Sequence, residues 1–109
     1  MKVPRFGSLL EGTPPSAGAE SFTELAQAGG ARVERIASRA VRNGDWCEQA
    51  WPEFVLLVAG SAALEFLDGS TRDLKPGDWA FLPAQCRHRV TWTDTAGETL
   101  WLAVHLPAG

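Results

Sequence analysis

The chain of 109 residues is long enough for one domain with a single core, and its 21% charged and 45% hydrophobic residues are ordinary for a globular protein. A net charge of −3 at pH 7 argues against nucleic acid or an anionic membrane surface as partner, because both require a basic patch. No stretch is apolar enough to cross a bilayer and residues 1–5 lack the start of a secretory signal, which favours a cytoplasmic protein.

The first thirty residues differ in composition from the rest of the chain. Residues 1–20 are rich in Gly, Pro, Ser and Ala, which is typical of an extended arm, and the carboxylate of Glu20 is expected to have no chemical role there. Ser21 followed by Glu24 has the spacing of a capping box and predicts a short helical turn that ends at Gly29-Gly30. We therefore assign residues 1–30 to an N-terminal arm with a short helix and residues 31–109 to one domain.

Strand patterns follow one another through the second region. Short apolar segments are separated by turn residues such as Asp68-Gly69 and Pro76-Gly77-Asp78. The spacing of about 8–12 residues between strands predicts an all-β sandwich or barrel, and it leaves no room for the helices of parallel βαβ units. The predicted strands cover residues 31–41, 53–59, 63–67, 79–82, 88–93 and 99–106.

The segment 53–59 is apolar at both strand parities. Val55 and Leu57 share one face, while Phe54 and Leu56 lie on the other. A strand with one face in water should alternate, so the second face is expected to be covered by the arm or by a second subunit. We expect a homodimer.

Two spaced motifs link this chain to a known family. Glu53, six residues and Gly60 match the end of the motif G-x5-H-x-H-x3,4-E-x6-G. The motif G-x5-P-x-G-x2-H-x3-N is matched with Gln85 in place of Gly and Trp92 in place of Asn, at positions Gly77, Pro83, Gln85, His88 and Trp92. Over residues 31–106 the chain thus resembles the cupin superfamily. The resemblance implies a double-stranded β-helix, which is a jelly-roll barrel with an interior cavity.

The same resemblance implies a metal site, because the two histidines of the first motif, its Glu and the His of the second motif bind a divalent transition metal. With three spacers before Glu53 the histidine positions hold Cys47 and Gln49, and with four they hold Trp46 and Glu48. The first alignment is preferred because it keeps the polar residues on one strand parity. It implies an altered or weakened site for zinc, iron or manganese. Its residues are Cys47, Gln49, Glu53 and His88.

The residues also suggest a ligand pocket. Tryptophan is common around pockets for apolar or planar ligands, and a histidine in the last strand could act as a ligand or an acid–base group if it faces inward. Strand parity alone does not settle which way this histidine points. The predicted pocket residues are Trp46, Trp51, Trp92 and His105.

Two functions are compatible with these patterns. One is a protein that binds a small molecule, such as a sensor or an accessory protein, because the frame is kept while the metal histidines are missing. The alternative is a metal-dependent enzyme of dioxygenase or isomerase type acting on a small carboxylate or sugar-like substrate. The sequence does not decide whether the protein is an enzyme, and it assigns no catalytic residue.

Overall fold

The computed structural model describes residues 2–109, and its regular structure consists of eight strands in two antiparallel sheets. Sheet A has the order β1-β2-β8-β3-β6 and sheet B has the order β5-β4-β7. Within residues 2–109 no helix is long and apolar enough to cross a membrane. The strands are β1 (Glu20–Ala28), β2 (Ala31–Arg39), β3 (Glu53–Ala59), β4 (Ala62–Phe66), β5 (Thr71–Leu74), β6 (Trp79–Leu82), β7 (His88–Thr93) and β8 (Glu98–His105). The all-β architecture predicted from strand spacing is confirmed.

The core forms where the two sheets face each other. Alternate residues of β3 and β8 point inward, among them Val55 and Leu57 on one strand and Trp101 and Ala103 on the other. Sheet B closes the other side of the core with Leu64, which is 3% exposed. Apolar side chains of one strand parity thus meet from both sheets, as expected for sheets packed face to face.

The predicted helical turn at residues 21–25 is wrong, because this segment lies in β1. Its pairing with β2 runs from Glu20 opposite Ser38 to Ala28 opposite Ala31. The capping pattern reflects only local hydrogen bonds, whereas the tight turn at Gly29-Gly30 returns the chain beside its own preceding segment. The backbone N–H and C=O groups that a helical turn would have used therefore form hydrogen bonds with β2 instead. This strand lies inside the region 1–30 assigned to the arm, and its pairing makes it part of sheet A.

The arm before β1 contacts the outer face of sheet A near Arg35. This side chain is only 5% exposed, although it points away from the core. Its Nε donates to the carbonyl oxygen of Leu9 at 2.8 Å, and its guanidinium lies 3.5 Å from the carboxylate of Glu98. A buried arginine thus links the arm to β2 and β8 through two polar contacts of its guanidinium group.

The outer face of β3 and β6 is exposed by contrast. Phe54 stacks on Trp79 with ring centroids 5.5 Å apart. Trp79 is 62% exposed and Phe81 is 50% exposed. The apolar second face predicted for β3 therefore forms an aromatic surface, which we call the aromatic face (Phe54, Trp79 and Phe81).

The turn between β3 and β4 passes close to the backbone at Thr99. Gly60 has a φ of +88°. A Cβ at this position would lie 2.8 Å from Thr99 Cα and closer still to Thr99 Oγ1. Glycine is required here both for its positive φ and for the space.

Candidate functional site

A cavity of about 160 Å³ lies between the two sheets. Strands of both sheets and the segment before β3 form its wall. The exposed residues Phe22, Asp45 and Cys47 mark its mouth. The apolar part of the wall consists of Ile36, Val55, Leu64, Leu82, Val90 and Trp101.

The four residues expected at the metal site all line this cavity, namely Cys47, Gln49, Glu53 and His88. Two backbone hydrogen bonds join Cys47 to His88, from Cys47 N to His88 O at 2.7 Å and from His88 N to Cys47 O at 3.0 Å. Glu53 begins β3, where it pairs in register with His105 of β8 and Leu82 of β6. The fold thus brings two segments separated by a hairpin to one place.

Glu53 is buried at 7% exposure and is held by its neighbour Gln49. The amide Nε2 of Gln49 donates to Glu53 Oε1 at 2.8 Å. This bond uses one carboxylate oxygen and orients the other side of the group toward the cavity. Because the donor is a neutral amide, this hydrogen bond orients the carboxylate without placing a countercharge beside it.

His88 is also buried, with 9% of its surface exposed. Its Nδ1 lies 2.9 Å from the carbonyl oxygen of Cys86, which can only accept, so Nδ1 carries a proton and donates. Within residues 2–109 the other ring nitrogen, Nε2, has no hydrogen-bond partner, and the ring lines the cavity. In the neutral ring Nε2 is therefore an acceptor that faces the cavity.

His105 points into the barrel as well, which settles the orientation that strand parity left open. The indole N–H of Trp51 donates to its Nδ1 at 3.0 Å. Since this N–H can only donate, Nδ1 must be unprotonated, and Nε2 carries the proton that it donates to Glu34 Oε1 at 2.9 Å. Both ring nitrogens of His105 are thus engaged in hydrogen bonds. The neutral imidazole orients the carboxylate of Glu34 and has no nitrogen left to bind a ligand.

The three tryptophans expected around the pocket are absent from the described lining of the cavity between the sheets. The guanidinium of Arg89 lies over the ring of Trp46, and its Cζ atom is 4.8 Å from the ring centroid. Trp51 lines a shallower second pocket with Arg32. Trp92 forms an isolated bridge with Arg42 at the end of β7. These rings pack around the site instead of forming its wall.

Other residues that line the cavity had not been singled out from the sequence. Trp101 is 3% exposed in the wall, and its N–H donates to Ser38 Oγ at 3.0 Å. Ser38 Oγ in turn donates to Glu20 Oε2 at 2.5 Å, so Glu20 belongs to the cavity despite its expected place in the arm. Glu34 shares the strand parity of Ser38, and this alternation was the one sequence signal that could have placed it there.

The donor set does not fit a transition metal. Among residues 2–109 no three His, Cys, Asp or Glu side chains come together closely enough to hold one. Although Cys47 lies at the exposed mouth, its thiol is partly desolvated by the surrounding wall, which raises its pKa, and the charges of Glu20, Glu53 and Asp45 raise the pKa further. A cysteine must be a thiolate to bind metal. Gln49 is turned so that its amide N–H₂ faces Glu53.

The second motif keeps its backbone geometry where its glycine is replaced. Gln85 has a φ of +62°, in the left-handed region that glycine occupies without strain. Its backbone N–H donates to the carbonyl oxygen of Gln49 at 2.6 Å. This bond links the loop before His88 to the segment before Glu53. The substituted position therefore still joins the two halves of the site.

Comparisons with known proteins agree with this architecture. The chain is similar to a provisionally named mannose-6-phosphate isomerase from Ralstonia eutropha JMP134, with 42% identity over 96% of this chain and 100% of that one, and a TM-score of 0.85. A cupin superfamily protein from Desulfitobacterium hafniense DCB-2 is 20% identical over 87% of this chain and 84% of its own, with a TM-score of 0.67. No curated protein matches the chain.

A third solved structure extends the comparison to larger proteins. It belongs to the DMSP lyases RdDddP and RnDddQII, with 26% identity, 83% of this chain and 48% of that chain covered, and a TM-score of 0.72. The family model described as a cupin domain matches residues 43–105, which is more than half of the chain. The chain belongs to the cupin domain family.

Proposed function

We propose that the chain is a cytoplasmic protein that binds a small polar molecule in the cavity between its sheets, as a sensor or an accessory protein. The observation that carries this proposal is the convergence of two buried polar side chains, Glu53 and His88, on an open space. Each of the two side chains uses one polar atom in a hydrogen bond and leaves another open to the cavity, so the cavity is suited to a ligand that supplies a partner.

The size of the cavity limits the ligand. Its volume is about 160 Å³. A cavity of about 150 Å³ accommodates benzene. The ligand is therefore a compound about as large as a six-membered ring, with an apolar part against Val55 and Leu64 and a polar part near Glu53.

A phosphorylated sugar fits the cavity poorly. The Ralstonia relative is provisionally named for such a substrate. Arg89 is the one lysine or arginine side chain in the described lining of the cavity, and it is committed to Glu65, with nitrogen and oxygen 2.7 Å apart. A phosphate group would therefore enter a site without a free cation to bind it.

Binding can be tested by isothermal titration and thermal-shift screening of small metabolites. A ligand at a hundred times its Kd should stabilise the protein by about 2.7 kcal/mol. Val55→Phe fills the cavity and should abolish binding, while Val33→Phe, on the outer face of β2, should leave it unchanged. Equal binding by both variants would place the ligand elsewhere.

Elemental analysis of untagged protein separates this proposal from the metal-dependent enzyme of dioxygenase or isomerase type. We expect well under one zinc, iron or manganese per chain. A content of about one metal ion per native chain, lost in the His88→Ala variant, would favour the enzyme. The metal ligands to test next would then be Cys47, Gln49, Glu53 and His88.

We also propose that two copies associate through the aromatic face. Exposed aromatic clusters on small domains are typical of protein interfaces, and the arm leaves this surface uncovered. Sedimentation equilibrium should give a dimer for the native chain and a monomer for Trp79→Glu. Phe6→Glu is the matched control, since Phe6 is equally aromatic and 93% exposed but lies on the arm. A native chain that is monomeric at micromolar concentration would refute the interface.

A further inference from the structure

The polar atoms that face the cavity are mostly hydrogen-bond acceptors. Glu53, Glu34 and Glu20 each have one carboxylate oxygen engaged, by Gln49, His105 and Ser38 respectively. Within residues 2–109 their second oxygens have no hydrogen-bond partner. The Nε2 atom of His88 is a further acceptor, as its Nδ1 carries the proton. A ligand that satisfies this cavity must be rich in donors.

The charges around the cavity have one dominant sign. Four carboxylates line it, and the guanidinium of Arg89 is their only formal cationic counterpart in the described lining. Arg89 is paired with Glu65, with nitrogen and oxygen 2.7 Å apart, and lies over the ring of Trp46, so its charge is already matched by a carboxylate outside the lining. The four carboxylates are Glu20, Glu34, Asp45 and Glu53.

The partners of these carboxylates are neutral. Gln49 contributes an amide, Ser38 a hydroxyl, and His105 an imidazole whose Nδ1 accepts from the Trp51 N–H and whose Nε2–H donates to Glu34. Neutral donors orient a carboxylate without cancelling its charge.

We propose that the ligand is a small organic cation with N–H donors, an ammonium or guanidinium compound of about the size of a six-membered ring. This inference rests on the proposed binding function and specifies its ligand class. Hydrogen bonds between N–H⁺ and carboxylate are the strongest that these acceptors can make. The apolar wall of Val55, Leu64 and Trp101 accommodates the carbon part. A bare metal ion is disfavoured because no three suitable side chains converge among residues 2–109.

Three probes of matched shape test the charge of the ligand. They are cyclohexylammonium, cyclohexanol and cyclohexanecarboxylate, each titrated into the native chain by calorimetry at low and high salt. We expect the ammonium to bind at least tenfold more tightly than the alcohol and the carboxylate to bind least. Salt should weaken the binding of the ammonium and leave that of the alcohol nearly unchanged.

One pair of variants identifies the carboxylate. Glu53→Gln keeps the shape of the side chain and removes the charge, so it should lower the affinity for cyclohexylammonium about tenfold, as expected for a hydrogen bond to a charged group. The affinity for cyclohexanol should not change. Glu11→Gln removes the same charge from the exposed arm and should have no effect.

The outcomes distinguish the two proposals. Equal affinity for all three probes, or tighter binding of the carboxylate, would overturn the cationic ligand and leave a binding cavity. Binding that Val55→Phe does not affect would overturn both proposals, because the probe would lie outside the cavity. Failure of all three probes to bind would also count against both.

Discussion

Replacement of Gly60 by Ala should destabilise the protein more than the same change at Gly69. The two glycines have nearly equal φ angles, +88° and +87°, so an added side chain costs each about 1–2 kcal/mol of backbone strain. At Gly69 nothing lies within 4 Å of the new Cβ, whereas at Gly60 it would overlap Thr99. Thr99 is fully buried and its Oγ1 donates to Ser61 O at 3.1 Å, so it cannot easily move away.

Overlap in a packed interior costs about 1–3 kcal/mol in addition to this strain. The expected loss is therefore about 2–5 kcal/mol for Gly60→Ala and about 1–2 kcal/mol for Gly69→Ala. Urea unfolding followed by tryptophan fluorescence measures both values, with an unchanged slope. The melting temperatures should differ by at least about 4 °C. Gly77→Ala, with φ +95° and open space, should resemble Gly69→Ala. Equal midpoints for all three variants would refute the steric argument.

Three further predictions follow from single contacts. In a Cys86→Ser background, the rate of Cys47 alkylation should rise with a pH midpoint above that of a free thiol, because partial burial and the nearby carboxylates disfavour the thiolate. Glu53→Gln should lower this midpoint, because it removes one of the negative charges. A midpoint at or below the free-thiol value in the Cys86→Ser protein would contradict the prediction. Arg35→Ala should release the arm, so that limited proteolysis cleaves it faster, and an unchanged rate would show that this arginine does not hold it. Gln85→Gly should raise the unfolding free energy by up to about 1 kcal/mol, measured in urea, since it relieves a left-handed φ; a loss would show that the side chain contributes more than the strain costs.

Six of the eight strands could be predicted because their signals are local, whereas β1 and the short, mostly polar β5 were not predicted. Apolar segments such as 53–59 and turns such as Asp68-Gly69 carry their own information in sequence. The segment that begins at Ser21 could not be assigned correctly, because its capping pattern competes with a partner strand reached only through the following turn. Local preference was overridden there by ladder pairing, which sequence spacing does not display.

The site was predictable where a motif fixes the spacing. Glu53 and His88 were placed together by two motifs that surround one hairpin, and both line the cavity. Glu20 and Glu34 were not found, because their position depends on the register of β1 and β2 against β8. The indole of Trp101 was missed for the same reason, while the more conspicuous Trp46 packs under Arg89.

The strand β1 gives the cavity a wall that the family-defining part of the chain does not encode. Glu20 and Phe22 come from this strand and Glu34 from its neighbour, all before residue 43, where the match to the cupin domain begins. The barrel shared by the family can therefore keep its structure while sequence changes in this hairpin alter the wall of the cavity. Exchanging residues 20–39 between two such proteins should transfer ligand preference along with the hairpin. Membership of the family predicts the barrel, and the hairpin before residue 43 supplies a part of the cavity wall that the family match does not cover.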